Sequence, residues 1–364
     1  MEITNENIHS LVRRYMANNP TVQSYGPIET WDVHRVTNMS RLFYSMRFFN
    51  EDISNWNVSN VTNMESMFEN AVEFNQPLNT WNVSNVTNMK RMFCNAESFN
   101  QPLDNWDVSN VTTMESMFSY TSFNKHLNTW NVSNVTNMTY MFATTHSFNK
   151  PLDNWDVSNV TNMCGMFSES SFNRPLNNWN VSKVTDMSHM FENTESFNQP
   201  LHNWDVSNVI NMSFMFCNAE SFNQPLDNWD VSNVTKMHGM FIGAFSFRQS
   251  LEDWNVEKVP LLELEYYMFD NNFPEEKKPH NSVKTLLKEV LPKNNIPGAV
   301  SANIIEYLTH MDPKKAYDFA LNTELKNNKR ISKSNSHNTK RSSKRSRSNS
   351  KGGTRRKSKR RAGR

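Results

Sequence analysis

FNQPLDNWDVSNVT stands at Phe99–Thr112 and again, letter for letter, at Phe222–Thr235. Its tryptophan decides the fold. The ten tryptophans of the 364-residue chain, Trp31, Trp56, Trp81, Trp106, Trp130, Trp155, Trp179, Trp204, Trp229 and Trp254, follow one another at 25-residue intervals, shortened to 24 at Trp130 and Trp179. Self-similarity in this range predicts a stacked repeat array rather than several globular domains. Both short units lose their residue in one place: Phe118 and Phe123, like Phe167 and Phe172, are five apart, where Phe68 and Phe74 are six apart. That shared position predicts a loop between the Met-Phe pair and the next Phe-Asn.

The unit from Leu78 shows how the pattern would fold. In Trp81-Asn82-Val83-Ser84 apolar and polar residues alternate, the period of a strand with one buried face. Met89, Met92, Phe93 and Ala96 then fall at i, i+3, i+4 and i+7, the spacing of one helical face. Proline at Pro102 and its equivalents breaks the chain before the next unit. The skeleton L-x-x-W-x-V-x-x-V-x-x-M is close to the leucine-rich repeat pattern. The expected fold is therefore an α/β solenoid, a right-handed leucine-rich-repeat-like stack of about ten 24–25-residue units with short parallel strands and short helical turns. A hydrophobic content of only 37% suffices, because each unit buries its faces against its neighbours.

Polar residues also form columns. Asn75, Asn100, Asn124, Asn149, Asn173, Asn198 and Asn223 each follow the unit's phenylalanine, and Asn38, Asn63, Asn88, Asn137 and Asn162 precede a methionine. Stacked amides are expected to hydrogen-bond from unit to unit and satisfy turn backbone. A third column after each tryptophan mixes Asp and Asn (Asp32, Asn57, Asn82, Asp107, Asn131, Asp156, Asn180, Asp205, Asp230). Without the glycine-rich loops that accompany stacked calcium sites, it is expected to be a solvated face, and no metal is assigned.

Catalysis needs unlike residues converging on one point, whereas near-identical units spread like residues along a line. The ten histidines make no H-E-x-x-H spacing, no C-x-x-C, P-loop or G-x-S-x-G occurs, and glycine numbers only eight. Neither catalytic residues nor a cofactor are expected. The sequons, such as Asn57-Val58-Ser59, are read as turn residues. Cys94, Cys164 and Cys217 lie two or more units apart, too far for disulfides, and read as thiols of a reducing compartment.

Specificity is expected where units differ. The pair after the first methionine varies most: Glu65-Ser66, Lys90-Arg91, Thr139-Tyr140, Ser188-His189, Ser213-Phe214 and His238-Gly239. Tyr140 and Phe214 are the expected aromatic anchors for a protein partner, with Arg91 and His189 beside them in the column.

The ends differ from the array. Residues 1–30 are expected to form a helical cap, from the stripe Ile8, Leu11, Val12, Tyr15 and Met16; the array spans 31–274, and apolar spacing suggests a small helical module at 275–325. Residues 326–364 hold 17 of the 38 Lys and Arg and no acid, which leaves 21 bases against all 36 acids in the rest. So polar a segment is expected to be disordered. Its Lys340, Arg341, Lys344, Arg345, Arg355, Arg356, Lys357, Lys359, Arg360 and Arg361 suit nuclear import, nucleic acid or an acidic protein. The N-terminus lacks the apolar core of a signal peptide and no run approaches a membrane span, so an intracellular place, cytoplasm or nucleus, is expected.

The unit WNVSNVTNMxxMFxxAxxFNQPLxx, running from Trp31 to Phe269, closely resembles the repeats of BspA-like leucine-rich repeat surface proteins. That resemblance implies a leucine-rich-type solenoid acting in adhesion or protein binding, and a cell-surface place as the alternative to the intracellular one. A fainter resemblance lies in IPGAVSANIIEYLTHMDPKKAYDFALNTEL, Ile296–Leu325, which is similar to the F-box outline and implies a substrate receptor of a ubiquitin ligase.

Overall fold

The computed structural model describes residues 2–259, 268–269, 273–274 and 277–279. The expected helical module at 275–325 lies almost wholly outside these residues, and the basic tail entirely so. The one α-helix among the described residues, α1, spans Ile8–Met16 and buries Ile8, Leu11 and Val12. Two 3-10 helices follow at Pro20–Tyr25 and Ile28–Thr30.

From Trp31 onward each unit lies on the next. Parallel bridges join Asn38 to Asn63, Asn63 to Asn88, Asn88 to Thr113 and so on without a gap to Lys236, always 24 or 25 residues apart. Trp81, Val83, Val86, Met89, Met92, Phe93, Ala96, Phe99 and Leu103 of one unit are all buried, and the units from Trp56 to Trp229 repeat the pattern. Like rings stack on like rings: Phe93 and Phe118 have centroids 5.8 Å apart at 7°, and Trp106 and Trp130 6.4 Å apart at 2°.

The expected strands and helical turns are replaced by something else. No residue from Trp31 to Val259 belongs to a helix, and pairing among the described residues is confined to single bridges. The run Met89–Ala96 buries the predicted apolar residues, but Arg91 and Asn95 have φ of 55° and 58°, in the left-handed region. A helix would direct every N–H back along its own segment. Here every second N–H turns back three residues, Met92 to Met89 O, Cys94 to Arg91 O and Ala96 to Phe93 O, and the first and last of these close turns with φ > 0 at the third position, Arg91 and Asn95, as in type II. The alternate ones cross to the next unit: Met89 to Thr113 O at 3.2 Å, Arg91 to Glu115 O at 2.7 Å, Phe93 to Met117 O at 3.0 Å and Asn95 to Ser119 O at 2.9 Å. Left-handed geometry costs a residue other than glycine about 1–2 kcal/mol. Asn70, Asn95, Asn193 and Asn218 reduce that cost, since a short amide tolerates it best, and Asn95 Nδ2 also donates to Asn70 Oδ1 at 2.8 Å.

The short units are tighter than a surface loop. Thr121 and Ser170 are buried there, and their hydroxyls donate to Phe118 O at 2.7 Å and Phe167 O at 2.6 Å. Thr145 and Thr194 of the following units stand where Ala71, Ala96 and Ala219 stand elsewhere, and they donate to the same two carbonyls at 2.9 and 2.8 Å. Each deletion is matched by a hydroxyl in the next unit.

The first unit has no predecessor, and the cap supplies one. Asn5 Oδ1 accepts from the Thr37 and Asn38 N–H groups at 3.0 and 3.1 Å, where Thr62 N–H finds Thr37 O one unit later.

Candidate functional site

The surface has two kinds of face. On one, side chains make the unit-to-unit bonds. Each indole of Trp81, Trp106, Trp130 and Trp155 donates to a carbonyl of the preceding unit, Ile53, Leu78, Leu103 and Leu127, at 2.8–3.1 Å. Asn75 Oδ1 accepts from Asn100 N–H and Asn100 Oδ1 from Asn124 N–H, at 2.9 and 3.0 Å, so the expected amide ladder runs from side chain to backbone. Asn85 and Asn110 donate to Ser59 O and Ser84 O in the same way. The column before the methionines works otherwise: Asn63 and Asn88 bridge through their backbones, and their side chains cap the N–H two residues on.

The Asp and Asn column after each tryptophan is local. Asp107, Asp156 and Asp230 accept from the N–H of Ser109, Ser158 and Ser232 at 3.0 Å. Hydrogen bonds from those serines, side chain first and backbone second, hold the three carboxyls below the ordinary carboxylate value. A depressed value favours the fold above the unfolded-state pKa, and that contribution disappears as pH falls through the folded one. Among the described residues no group of three or more His, Cys, Asp or Glu is placed to hold a metal ion.

The second kind is the turn face, where backbone carries the stack. Arg91, Tyr140, His189 and Phe214 all occupy its first left-handed column, with φ of 55°, 52°, 59° and 58°. Arg91 stands apart from the other three. It pairs with the nearly buried Glu69 at 3.3 Å, and its neighbour Lys90 pairs with Glu115 at 3.0 Å. Tyr140 is 36% exposed and hydrogen-bonds Cys164; burial first, then Cys164, pushes its phenol up to about 12. His189 Nδ1 donates to the Glu192 carboxylate at 2.8 Å, and its ring lies parallel to Phe214, centroids 5.0 Å apart at 19°. The face thus joins His189 to Phe214, with Tyr140 two units before His189.

Sequence reasoning passed over Gly165 in this column and the exposed Tyr120, and took Gly239 only as part of a variable pair. The signal was available, because glycine appears in an array that otherwise has almost none. The cysteines are free thiols. Burial, then Glu69 for Cys94 and Glu192 for Cys217, pushes these two up to about 11, so both stay protonated near neutrality.

Among the described residues, clefts break the regularity in two places. One of about 450 Å³ sits where the cap meets the first unit, between Tyr25, Trp31, His34 and Arg35. Its charges satisfy each other, Asp32 with His34 at 2.7 Å and Arg35 with Glu2 at 3.1 Å. The other, about 370 Å³, opens beside the second short unit between His146, Glu169, Ser170 and Glu195.

A family model described as "Mycoplasma protein of unknown function, DUF285" matches residues 11–122, 103–184 and 169–280. These overlapping matches take in nearly the whole described stack. The chain belongs to this family. The second DUF285 match, 103–184, runs through both short units, whereas the first ends at 122 and the third begins at 169, inside them. No curated protein and no solved structure matches the chain. No helix among the described residues is long and apolar enough to cross a membrane.

Proposed function

We propose that this DUF285 chain is a non-catalytic interaction scaffold, a repeat solenoid whose turn face receives a protein partner. The observation that carries the reading is the division of labour between faces. On the turn face a regular series of backbone hydrogen bonds joins consecutive units whatever the side chains are, so the side chains of the variable pair can change from unit to unit while that series is kept. Binding surfaces of repeat proteins have this character, an invariant frame with a variable strip. The likeness of the repeat to BspA-like proteins supports adhesion or protein binding as the general role. The test is capture of partners from cell extract by the tagged full chain, compared with a variant carrying Arg91→Ala, Tyr140→Ala and Phe214→Ala. The scaffold reading expects at least one partner to be lost from the variant while its melting temperature is kept. An unchanged set of partners overturns the contact assignment.

The second reading concerns the basic tail. Seventeen cations without an acid, from 326 to 364, suit an anionic partner such as nucleic acid or an acidic protein, and would localise the scaffold in cytoplasm or nucleus.

A further inference from the structure

We propose that the three units beginning at Trp106, Trp130 and Trp155 hold an anion-binding window, in which Lys125, Lys150 and Arg174, with the backbone N–H groups of Ser147 and Ser171, take a short oligophosphate. The window uses other columns than the turn face, and nothing in it depends on what that face binds.

Two separate irregularities meet there. In five units the second residue after the last phenylalanine is glutamine, Gln76, Gln101, Gln199, Gln224 and Gln249, whose Nε2 crosses to the asparagine of the preceding unit at 2.8–3.1 Å. In the three units between Gln101 and Gln199 a cation replaces it. Arg174 Nε makes the same crossing, to Asn149 O at 2.9 Å, and its terminal nitrogens are left over. Lys125 and Lys150 have neither a hydrogen bond nor an ion pair among the described residues.

The other irregularity is in the backbone. The residue before the last phenylalanine donates its N–H to the preceding unit at 2.9–3.1 Å: Glu73 to Arg47 O, Ser98 to Val72 O, Ser122 to Glu97 O, Ser221 to Glu195 O and Ser246 to Glu220 O. That series lapses at Ser147, Ser171 and Ser196, each in a short unit or directly after one. All three are exposed, and among the described residues their N–H groups have no acceptor. Unpaired backbone donors beside unpaired cations have one kind of complement, an oxyanion that accepts from both.

Charge sets the length of that anion. From two residues before the last phenylalanine to three after it, these three units carry Lys125, His126, His146, Lys150 and Arg174 and no acid. The adjoining units carry Glu97 and Glu195 in that stretch, and the next ones out Glu73 and Glu220. Glu169 lies just outside the window, where it accepts from Thr144 Oγ1 at 3.3 Å, and with Glu195 it walls the cleft beside Ser171. The anion therefore belongs on the three cations and not in the cleft. Three positions one unit apart span two steps of about 5 Å, roughly 10 Å in all. A nucleic acid or an acidic peptide spreads its charge along a longer backbone and meets the flanking glutamates. An oligophosphate packs several charges into the window, and its oxygens suit both lysine and fixed N–H donors.

Thermal unfolding of the full chain, titrated with inorganic tripolyphosphate, tests this. The ligand is expected to raise the melting temperature of the wild type, because it binds the folded stack. In Lys125→Gln/Lys150→Gln/Arg174→Gln the apparent dissociation constant should rise about tenfold or more. Glutamine is the residue of the other units, so this variant is expected to fold. Lys90→Gln/Lys183→Gln/Lys258→Gln removes equal charge from other columns and keeps the same tail, and it should respond as the wild type does. No rise in the wild type overturns the proposal, as does an equal rise in the first variant. An equal rise with sulfate at matched ionic strength also overturns it, as the effect of an adventitious ion only. Oligoglutamate or single-stranded DNA matching tripolyphosphate overturns the choice of oligophosphate. ATP separates the sources, both in support: an equal or smaller rise points to the phosphate chain alone, a larger one to a nucleotide.

Discussion

The indole and amide faces of the stack differ from the turn face in which atoms hold one unit to the next. On the former, Trp Nε1, Asn Oδ1 and Asn Nδ2 make the crossing bonds, and those residues hardly change from unit to unit. On the latter, backbone N–H groups make the bonds that recur in every unit, side-chain links such as Arg91 to Glu69 are local additions, and the side chains range from Arg91 to Gly165. Invariance in this molecule therefore marks structural work done by a side chain, and variation marks positions that the stack has released. The usual association of sameness with function is inverted along this chain.

Substitutions at matched positions can break that contrast. The largest effect is expected for Trp155→Ala, which removes a buried ring stacked on Trp179 at 6.4 Å and the indole bond to Leu127 O at 2.9 Å. Replacing so large a core residue should cost about 3–5 kcal/mol in urea unfolding. A cost below about 1 kcal/mol would mean that the indole column is not holding the stack. Asn100→Ala should cost less, about 1–3 kcal/mol, because Asn124 N–H loses its acceptor and Asn100 Oδ1 also belongs to a continuing ladder. Restoring the acceptor with Asn100→Asp should recover part of it. Smallest is Lys90→Ala on the turn face, whose partly exposed pair with Glu115 is worth about 0–1 kcal/mol and weakens further in salt. Equal costs for Asn100→Ala and Lys90→Ala would erase the distinction between the faces.

Much of the architecture could be read from residues alone. The tryptophan interval, the buried set Met89, Met92, Phe93 and Ala96, and the place of the two deletions all follow from spacing. The backbone between them did not. Spacing of i, i+3, i+4 and i+7 records which side chains share a face, and alternating left-handed turns bury the same four positions as a helix. Asn70, Asn95, Asn193 and Asn218, four residues beyond the variable pair, were the visible sign, since asparagine and glycine gather where φ turns positive. The substitution of Thr145 and Thr194 for alanine was likewise visible but needs the neighbouring unit to explain it, because each hydroxyl serves a carbonyl 27 residues earlier. Of the candidate site, the column was legible and the placing of its rings was not, for Tyr140 and Phe214 fill the space of the Cβ that Gly165 and Gly239 lack one unit ahead.

Asn5 gives the beginning of the stack an unexpected generality. Its amide imitates one carbonyl of a preceding unit, at a position where later units present the same Thr N–H: Thr62, Thr87, Thr112, Thr136. Through Asn5 the cap therefore recognises the common part of the repeat, and only an exposed pair, Glu2 with Arg35, touches what individualises the first copy. A gene encoding such a chain could gain or lose whole copies behind the cap, through recombination between its own near-identical segments, and still start its product correctly. Array length is then free to drift in a population, while the way the array starts stays fixed.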